Sequence, residues 1–423
     1  MRLSNVAWNL LGLASPLVIA ALTIPALIEL IGLERFGLLA LAWGLIGYAG
    51  VFDLGIGRAT TQLLAQLRGQ SALADIPFVI QTATRLTLLT GTIGFLFLTL
   101  AAVSGVANLI RHSADLSSEI NVSVFLLALA VPVQAISATY RGVNEAFEKF
   151  RGISLLRMGL GVLNFLGPYW VAHFSNSLVW LVAILLISRI TALVIFRFLA
   201  IRCVNTSLGC SSALCASVRR DEIKKQLFVF GGWVTVSSVA GPLLVQADRF
   251  VIGGLISAAA VAAYTIPYEV VVQSLVVVGA VSSVVFPSLA KQMHQDPLQW
   301  QLLFRRWLFA VIGVMLVVTV TLALLLPSLL PFWIGKNLPD ESVVIGQILC
   351  LGVFANSIGS MYFSLLHAKG RSDITAKLHL IELPIFIGLL FFLINIYGLY
   401  GVAWAWVGRT VFDAILLKIL SNH

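Results

Sequence analysis

The sequence predicts an all-α, polytopic membrane protein with twelve transmembrane helices in two parallel six-helix lobes. Three observations carry that prediction. Hydrophobic residues make up 59% of the chain and charged residues 11%, against about 25% charged in a soluble domain, so most of the surface cannot face water. Apolar runs of about 20 residues recur from end to end, and at 1.5 Å per residue such a run crosses the roughly 30 Å hydrocarbon core. Finally, small, polar and proline positions of the first half recur in the second at offsets of 220 to 226 residues. The alternating segments of a membrane barrel are absent.

The expected spans are 6–31, 36–57, 84–104, 120–140, 154–173, 177–200, 227–247, 251–278, 307–330, 343–366, 375–396 and 399–420. The first is too long for the 7–15-residue apolar core of a signal peptide and reads as an uncleaved span. The second follows a charge-free run, Phe36 to Gly50, and ends in "VFDLGIGRATTQ". Tyr169 and Trp170 close the fifth span, Trp180 opens the sixth, and Phe332 and Trp333 close the ninth. Rings of this kind settle at headgroup level. The longer, partly polar connections are 58–83, 201–226 and 279–306.

Lys and Arg set orientation, because cationic loop residues stay cytoplasmic. With the N-terminus inside, the outer side holds Arg35, Arg111, Arg249 and Lys336, and Arg189 and Arg409 lie within spans. The other 21 of 27 basic residues fall at the inner side, so both termini are expected in the cytoplasm. The net charge of +9 then reports topology and contact with anionic lipid, not a nucleic-acid partner. Cys203, Cys210 and Cys215 share a polar loop at a spacing that fits no zinc pattern, and with Cys350 they read as reduced thiols.

The repeat is read from matching faces. Asn5, Asn9, Gly12 and Pro16 share one face of span 1. Gly231, Thr235, Ser238 and Pro242 are their counterparts on span 7, at an offset of 226. Arg85 and Arg305, Tyr140 and Tyr362, and Arg189 and Arg409 pair at offsets of 220 to 222. An even number of spans per half keeps both halves in the same orientation. The expected domains are an N-terminal lobe, 1–201, a cytoplasmic linker, 202–226, and a C-terminal lobe, 227–423. Spans 1 and 7 are expected to line a cleft between them, with Pro16, Pro242 and Pro267 as hinges. The alternative is that these small residues only let helices pack closely.

Ionisable residues inside a span usually face a cavity or a partner. On span 2, Ile46, Gly50, Asp53 and Gly57 are spaced to share a helical face. That makes Asp53 with Arg58 a candidate gate at the inner mouth, or else a locally paired structural carboxylate. On span 8, Thr265, Glu269 and Gln273 form a polar stripe around Pro267, and Glu269 is the leading candidate for ion coupling. Arg409 and Asp413 are four apart and expected to pair, while Arg189 and Glu382 have no partner within their own spans. Arg249 with Arg35 is expected to form a basic outer rim for an anionic headgroup. No phosphate loop, H-E-x-x-H motif or nucleophile elbow is present, so neither cofactor nor metal nor enzymatic activity is expected.

"GLERFGLLALAWGLIGYAGVFDLGIGRATTQLLAQ" resembles the first-hairpin signature of the polysaccharide and O-antigen flippases in the multidrug/oligosaccharidyl-lipid/polysaccharide (MOP) exporter superfamily, and "QADRFVIGGLISAAAVAAYTIPYEVV" resembles the stretch that opens their second half. The matching motifs are "FDLGIG", Phe52 to Gly57, and "QADRF", Gln246 to Phe250. The resemblance implies a V-shaped pair of six-helix bundles in a bacterial inner membrane. It implies a Wzx-type translocase for an oligosaccharide linked to undecaprenyl pyrophosphate, moved from the cytoplasmic to the periplasmic leaflet and driven by an ion gradient. Other membrane proteins of polysaccharide assembly are the further partners it suggests. Arg35, Arg58 and Arg249 are then the candidate headgroup contacts. Two alternatives stay open: a drug or cation antiporter of the same superfamily, and a membrane glycosyltransferase or polymerase, although the outer loops are short for an active-site domain.

Overall fold

The computed structural model describes residues 3–69, 73–105, 113, 116–147, 150–208, 246–279, 281–282, 299–335, 338–369 and 371–421. Among these residues the regular structure is entirely helical. In chain order the helices are α1 (Leu3–Ala49), α2 (Ile56–Gly69), α3 (Ile76–Val103), α4 (Ser117–Ala146), α5 (Phe150–Ala172) and α6 (Leu178–Leu208). They continue with α7 (246–255), α8 (Ala258–Val272), α9 (Gln299–Ile334), α10 (Glu341–Ala368), α11 (Ser372–Tyr397) and α12 (Leu399–Ser421). The chain divides into two compact units, Met1–Pro242 and Leu243–His423.

Seven helices among the described residues are long and apolar enough to cross a membrane. They bare large apolar side chains along their length, among them Leu100, Val103, Phe198, Leu324 and Phe332. In water such a surface would drive aggregation. Against lipid tails it is the expected outer face, because lipid is as apolar as leucine. The protein is therefore a multi-pass membrane protein, and Trp170 and Trp180 stand exposed near helix ends, where amphipathic rings are favoured.

In the first unit α4 is central and packs against α2, α3 and α6. Glycine allows the tightest of these contacts. A Cβ on Gly142 would lie 2.3 Å from the Gly57 carbonyl oxygen, so α2 and α4 meet backbone to backbone, as small-residue pairs permit in membranes. The Thr61 hydroxyl donates across the crossing to the Gly142 oxygen at 3.2 Å. Buried Asn144 ties α4 to α6, its amide donating to the carbonyls of Tyr140 at 2.8 Å and Phe196 at 2.9 Å. We expect Asn144→Leu to cost about 1 kcal/mol, the scale of such interhelical bonds in bilayers, seen as a lower thermal midpoint in detergent. An unchanged midpoint would mean that the bond adds nothing. In the second unit α10 is central, against α8, α9 and α12, and Trp406 seats over Gly352 with 2% of its surface exposed.

Several span boundaries differ from the sequence expectation, two of them for a clear local reason. Span 2 does not run on to residue 57. Its helix, opened by the break at Gly32 (φ 78°), ends at Ala49, passes through a 3-10 turn at Gly50–Asp53, and is interrupted at Leu54 (φ 49°) and Gly55 (φ 67°) before α2 begins. Asp53 and Gly57 therefore share no α-helical face with Ile46. Span 7 is the opposite case: α7 continues unbroken through Asp248 and Arg249 to residue 255. The chain turns at Ile256 and Ser257, whose hydroxyl caps α8 by accepting the Ala260 N–H at 3.0 Å. The apolar stretch after Arg249 was read as the next span, but it belongs to the same helix.

Candidate functional site

A cavity of about 360 Å³ lies within the first unit. It is lined from α4 by Gln134, Ser137, Ala138 and Arg141, from α5 by Arg157, Leu160, Gly161 and Asn164, from α6 by Arg189, Ala192 and Phe196, and by Asp53. Three arginines and one carboxylate thus line it, and Arg141 is also paired with Glu145 at 3.7 Å. Arg141 and Arg157 are exposed, near the ends of α4 and α5 that the 146–150 connection joins. Arg189 sits mid-helix on α6, about 16 Å from the start of that helix at 1.5 Å per residue. It donates to the Asn164 side-chain oxygen at 3.2 Å, while its Nε is buried without a hydrogen-bond partner. An unfilled guanidinium donor beside a cavity is a ready contact for a phosphate oxygen, which suits the planar fork of arginine.

The "FDLGIG" motif builds one wall. Phe52 packs on Gly94 of α3, where a Cβ would come within 2.7 Å of its ring. The Asp53 carboxylate accepts the Gly55 N–H at 2.7 Å, an Asx turn that satisfies a donor released by the helix break. Gly55 supplies a left-handed backbone that a side chain would resist, and Gly57 lets α2 approach α4. Asp53 is 9% exposed and lies within electrostatic reach of Arg141 and Arg58. Pro16 of α1 presses on Gly161 of the cavity wall, so it points into the unit and not toward lipid. Trp43 of α1 packs edge-on against Phe165 of α5.

A second polar cluster lies within the other unit. Arg249 donates to Glu269 at 2.6 Å, and its guanidinium lies 5.3 Å from the Tyr268 ring centre. The Tyr264 hydroxyl donates to Asp248 at 2.8 Å, and Tyr268 stacks on Tyr264 and meets Trp406 edge-on. The guanidinium side is sealed and the carboxylate side open: the Arg249 side chain is 8% exposed and that of Glu269 48%. Arg249, expected at an exposed rim, is a buried side chain held by Glu269. It lies within α7, about 9 Å from the end of that helix.

The other candidates fall as follows. Arg35 is bound to Glu119 at 3.4 Å. Arg58 is exposed on α2 and does not line the cavity. Thr265 is buried, and Gln273 opens a 3-10 turn, Gln273–Leu275, while its backbone N–H still donates to the Glu269 carbonyl. The side chains of Asn5 and Asn9, and Thr235, Ser238, Pro242 and most of the expected linker, lie outside the described residues. Sequence reading passed over Arg141, Arg157 and Asn164. The signal that could have found them is an arginine and an amide at mid-depth of two adjacent spans, 5 and 6.

This fold is that of the MOP-superfamily exporters. A solved multidrug-resistance transporter of the MATE family, in its inward-facing conformation, superposes with a TM-score of 0.74 over 98% of this chain and 97% of its own, at 15% identity. The sequence narrows the class. The profile of the family described as polysaccharide biosynthesis protein matches residues 3–293. A Shigella flexneri protein named as a candidate O-antigen transporter is 30% identical over 423 residues, 100% of this chain and 98% of its own. The lipopolysaccharide biosynthesis protein WzxC of Escherichia coli K12 is 23% identical over 263 residues, 62% of this chain and 51% of its own. The chain belongs to the polysaccharide biosynthesis protein family.

Proposed function

We infer that the protein is a flippase: it carries a lipid-linked oligosaccharide across a bacterial inner membrane, with the pyrophosphate of the carrier lipid seated in the arginine cavity. The observation that carries this reading is the lining of that cavity, Arg141, Arg157 and Arg189 against Asp53 alone. Its positive balance suits a lipid pyrophosphate and opposes a cationic drug, which counts against the antiporter alternative. The name of the Shigella flexneri relative supports the substrate class. In this reading the sugar crosses through a polar path while the polyprenyl tail stays in lipid. No covalent bond is made or broken, so the protein is not an enzyme.

The basic-residue bias supports cytoplasmic termini, which puts the Arg141 and Arg157 end of the cavity on the side where lipid-linked sugars are assembled. The halves 1–201 and 227–423, joined by 202–226, are the rocking elements of the reading, and other polysaccharide-assembly membrane proteins supply and receive the substrate. Coupling to an ion gradient is part of it, with Asp53 beside Arg141 and Glu269 against Arg249 as the sequence-derived candidates.

The test is reconstitution in vesicles with a fluorescent undecaprenyl-pyrophosphate oligosaccharide. Outer-leaflet quenching should reveal transfer that protein-free vesicles lack. Transfer of a cationic dye in place of the lipid would overturn the reading. Glu269→Gln leaves Arg249 without its charged partner and should slow flipping. A variant that flips at the wild-type rate at every pH removes Glu269 from the coupling.

A further inference from the structure

In the second unit α11 and α12 bring three titratable side chains together: His379, Glu382 and Asp413. One ligand atom of each lies within 4.8 Å of the others. Glu382 is 2% exposed and Asp413 half-buried. His379 Nδ1 lies 3.2 Å from Glu382 Oε2. Glu382 Oε1 and Asp413 Oδ1 are both buried, and neither meets a hydrogen-bond partner among the described residues. Two buried carboxylates this close oppose each other's charge, and a cation held between them relieves the repulsion. A proton is the smallest such cation, and once one carboxyl carries it, the two are placed to hydrogen-bond.

The neighbours favour a proton over a metal ion. Arg409 of α12 lies within electrostatic reach of both Asp413 and Asp248, and its positive charge disfavours a divalent ion beside it. On α10, His367 lies near His379, with the Phe363 ring between them, and Gly359 leaves room for the Asp413 carboxylate. On α7 and α8, Asp248 lies within reach of Arg409, and Arg249 and Glu269 pair with each other. Exposure gives the site a direction. The side chain of His379 is 32% exposed and lies one helical turn closer to the end of α11, while that of Glu382 behind it is 2% exposed. A proton taken from water by the His379 imidazole can pass to Glu382 Oε2, be shared with Asp413, and return by the same path.

We propose that Glu382 and Asp413, loaded through His379, form the proton-binding site through which a proton gradient drives the transport. The proposal rests on the transport reading and replaces Glu269 and Asp53 as the coupling groups. Loading neutralises one charge between α11 and α12, and so changes how those two helices hold together.

Infrared titration of the purified protein in nanodiscs tests the site independently of any flipping. The wild type should show a protonated-carboxyl band that is lost in both Glu382→Gln and Asp413→Asn and kept in Glu269→Gln. In vesicles with an imposed pH difference, one coupled proton shifts the steady-state substrate distribution by about tenfold per pH unit. Glu382→Gln should still flip down the substrate gradient but lose that shift, while His379→Gln should slow loading and leave the size of the shift intact. A band that survives both carboxyl substitutions overturns the proposal. So does a wild-type pH response in Glu382→Gln, or a band erased by sodium at constant pH. A wild type that flips nothing sinks the transport reading instead, and the infrared titration still decides the carboxyl pair.

Discussion

Replacing Arg189 by glutamine should lower flipping of a pyrophosphate-linked oligosaccharide by roughly a hundredfold, about 3 kcal/mol, within the 2–5 kcal/mol typical of losing one partner of a buried charged pair. Arg189 is the deepest of the three cavity arginines, and its Nε has no partner to lose. The variant therefore forfeits a contact to substrate and leaves only the Asn164 bond to rearrange. Arg189→Lys keeps the charge and should recover part of the rate, because a lysine cannot present the paired donors of a guanidinium. Arg141→Gln and Arg157→Gln, at exposed positions screened by water and salt, should each cost less, by about tenfold or under. The measurement is the initial rate of quenchable-lipid transfer, normalised to folded protein by size exclusion. Equal rates in wild type and Arg189→Gln would remove the cavity as the headgroup site.

Gly142→Val should be the most damaging substitution outside the cavity. Its Cβ would stand 2.3 Å from the Gly57 carbonyl oxygen, and the obstacle is backbone, which cannot rotate aside. The α2–α4 crossing must open, with loss of the Thr61 bond to Gly142. Overpacking of a close contact costs about 1–3 kcal/mol, at times more, and here it also displaces the turn that holds Asp53 in the cavity wall. We expect a lower thermal midpoint and a lower flipping rate together. Gly159→Ala is the control, since a Cβ there meets nothing within 4 Å, and it should leave both unchanged. If Gly142→Val folds with a wild-type midpoint, the crossing is looser than the geometry requires.

The "FDLGIG" motif shows how far the sequence alone could be read. Its conspicuous residues were visible, and so was the oddity of a carboxylate closing a charge-free run. Helical spacing, however, gave Asp53 a partner face that the chain does not form. The α-helix stops at Ala49, a 3-10 turn carries Asp53, and left-handed Leu54 and Gly55 follow; a period of 3.6 says nothing about where a helix stops. The Asp248–Arg249 pair failed in the reverse sense. Charges inside an apolar stretch look like a helix end, because an isolated buried charge is expensive. Here Glu269 and Tyr264, 20 and 16 residues away, make that burial affordable.

What the sequence determined by itself is the class of solvent and the class of fold. The scarcity of charge, the length of the apolar runs and the recurrence of polar positions are sums over many residues, and such sums survive errors at single positions. What only the tertiary structure decided is which charges meet. Arg141, Arg157, Arg189 and Asp53 come from separate stretches of chain and share one cavity, and His379, Glu382 and Asp413 converge from two helices. Proximity of that kind depends on helix rotation and crossing, set by close contacts such as Gly57 against Gly142, and no local pattern along the chain records it.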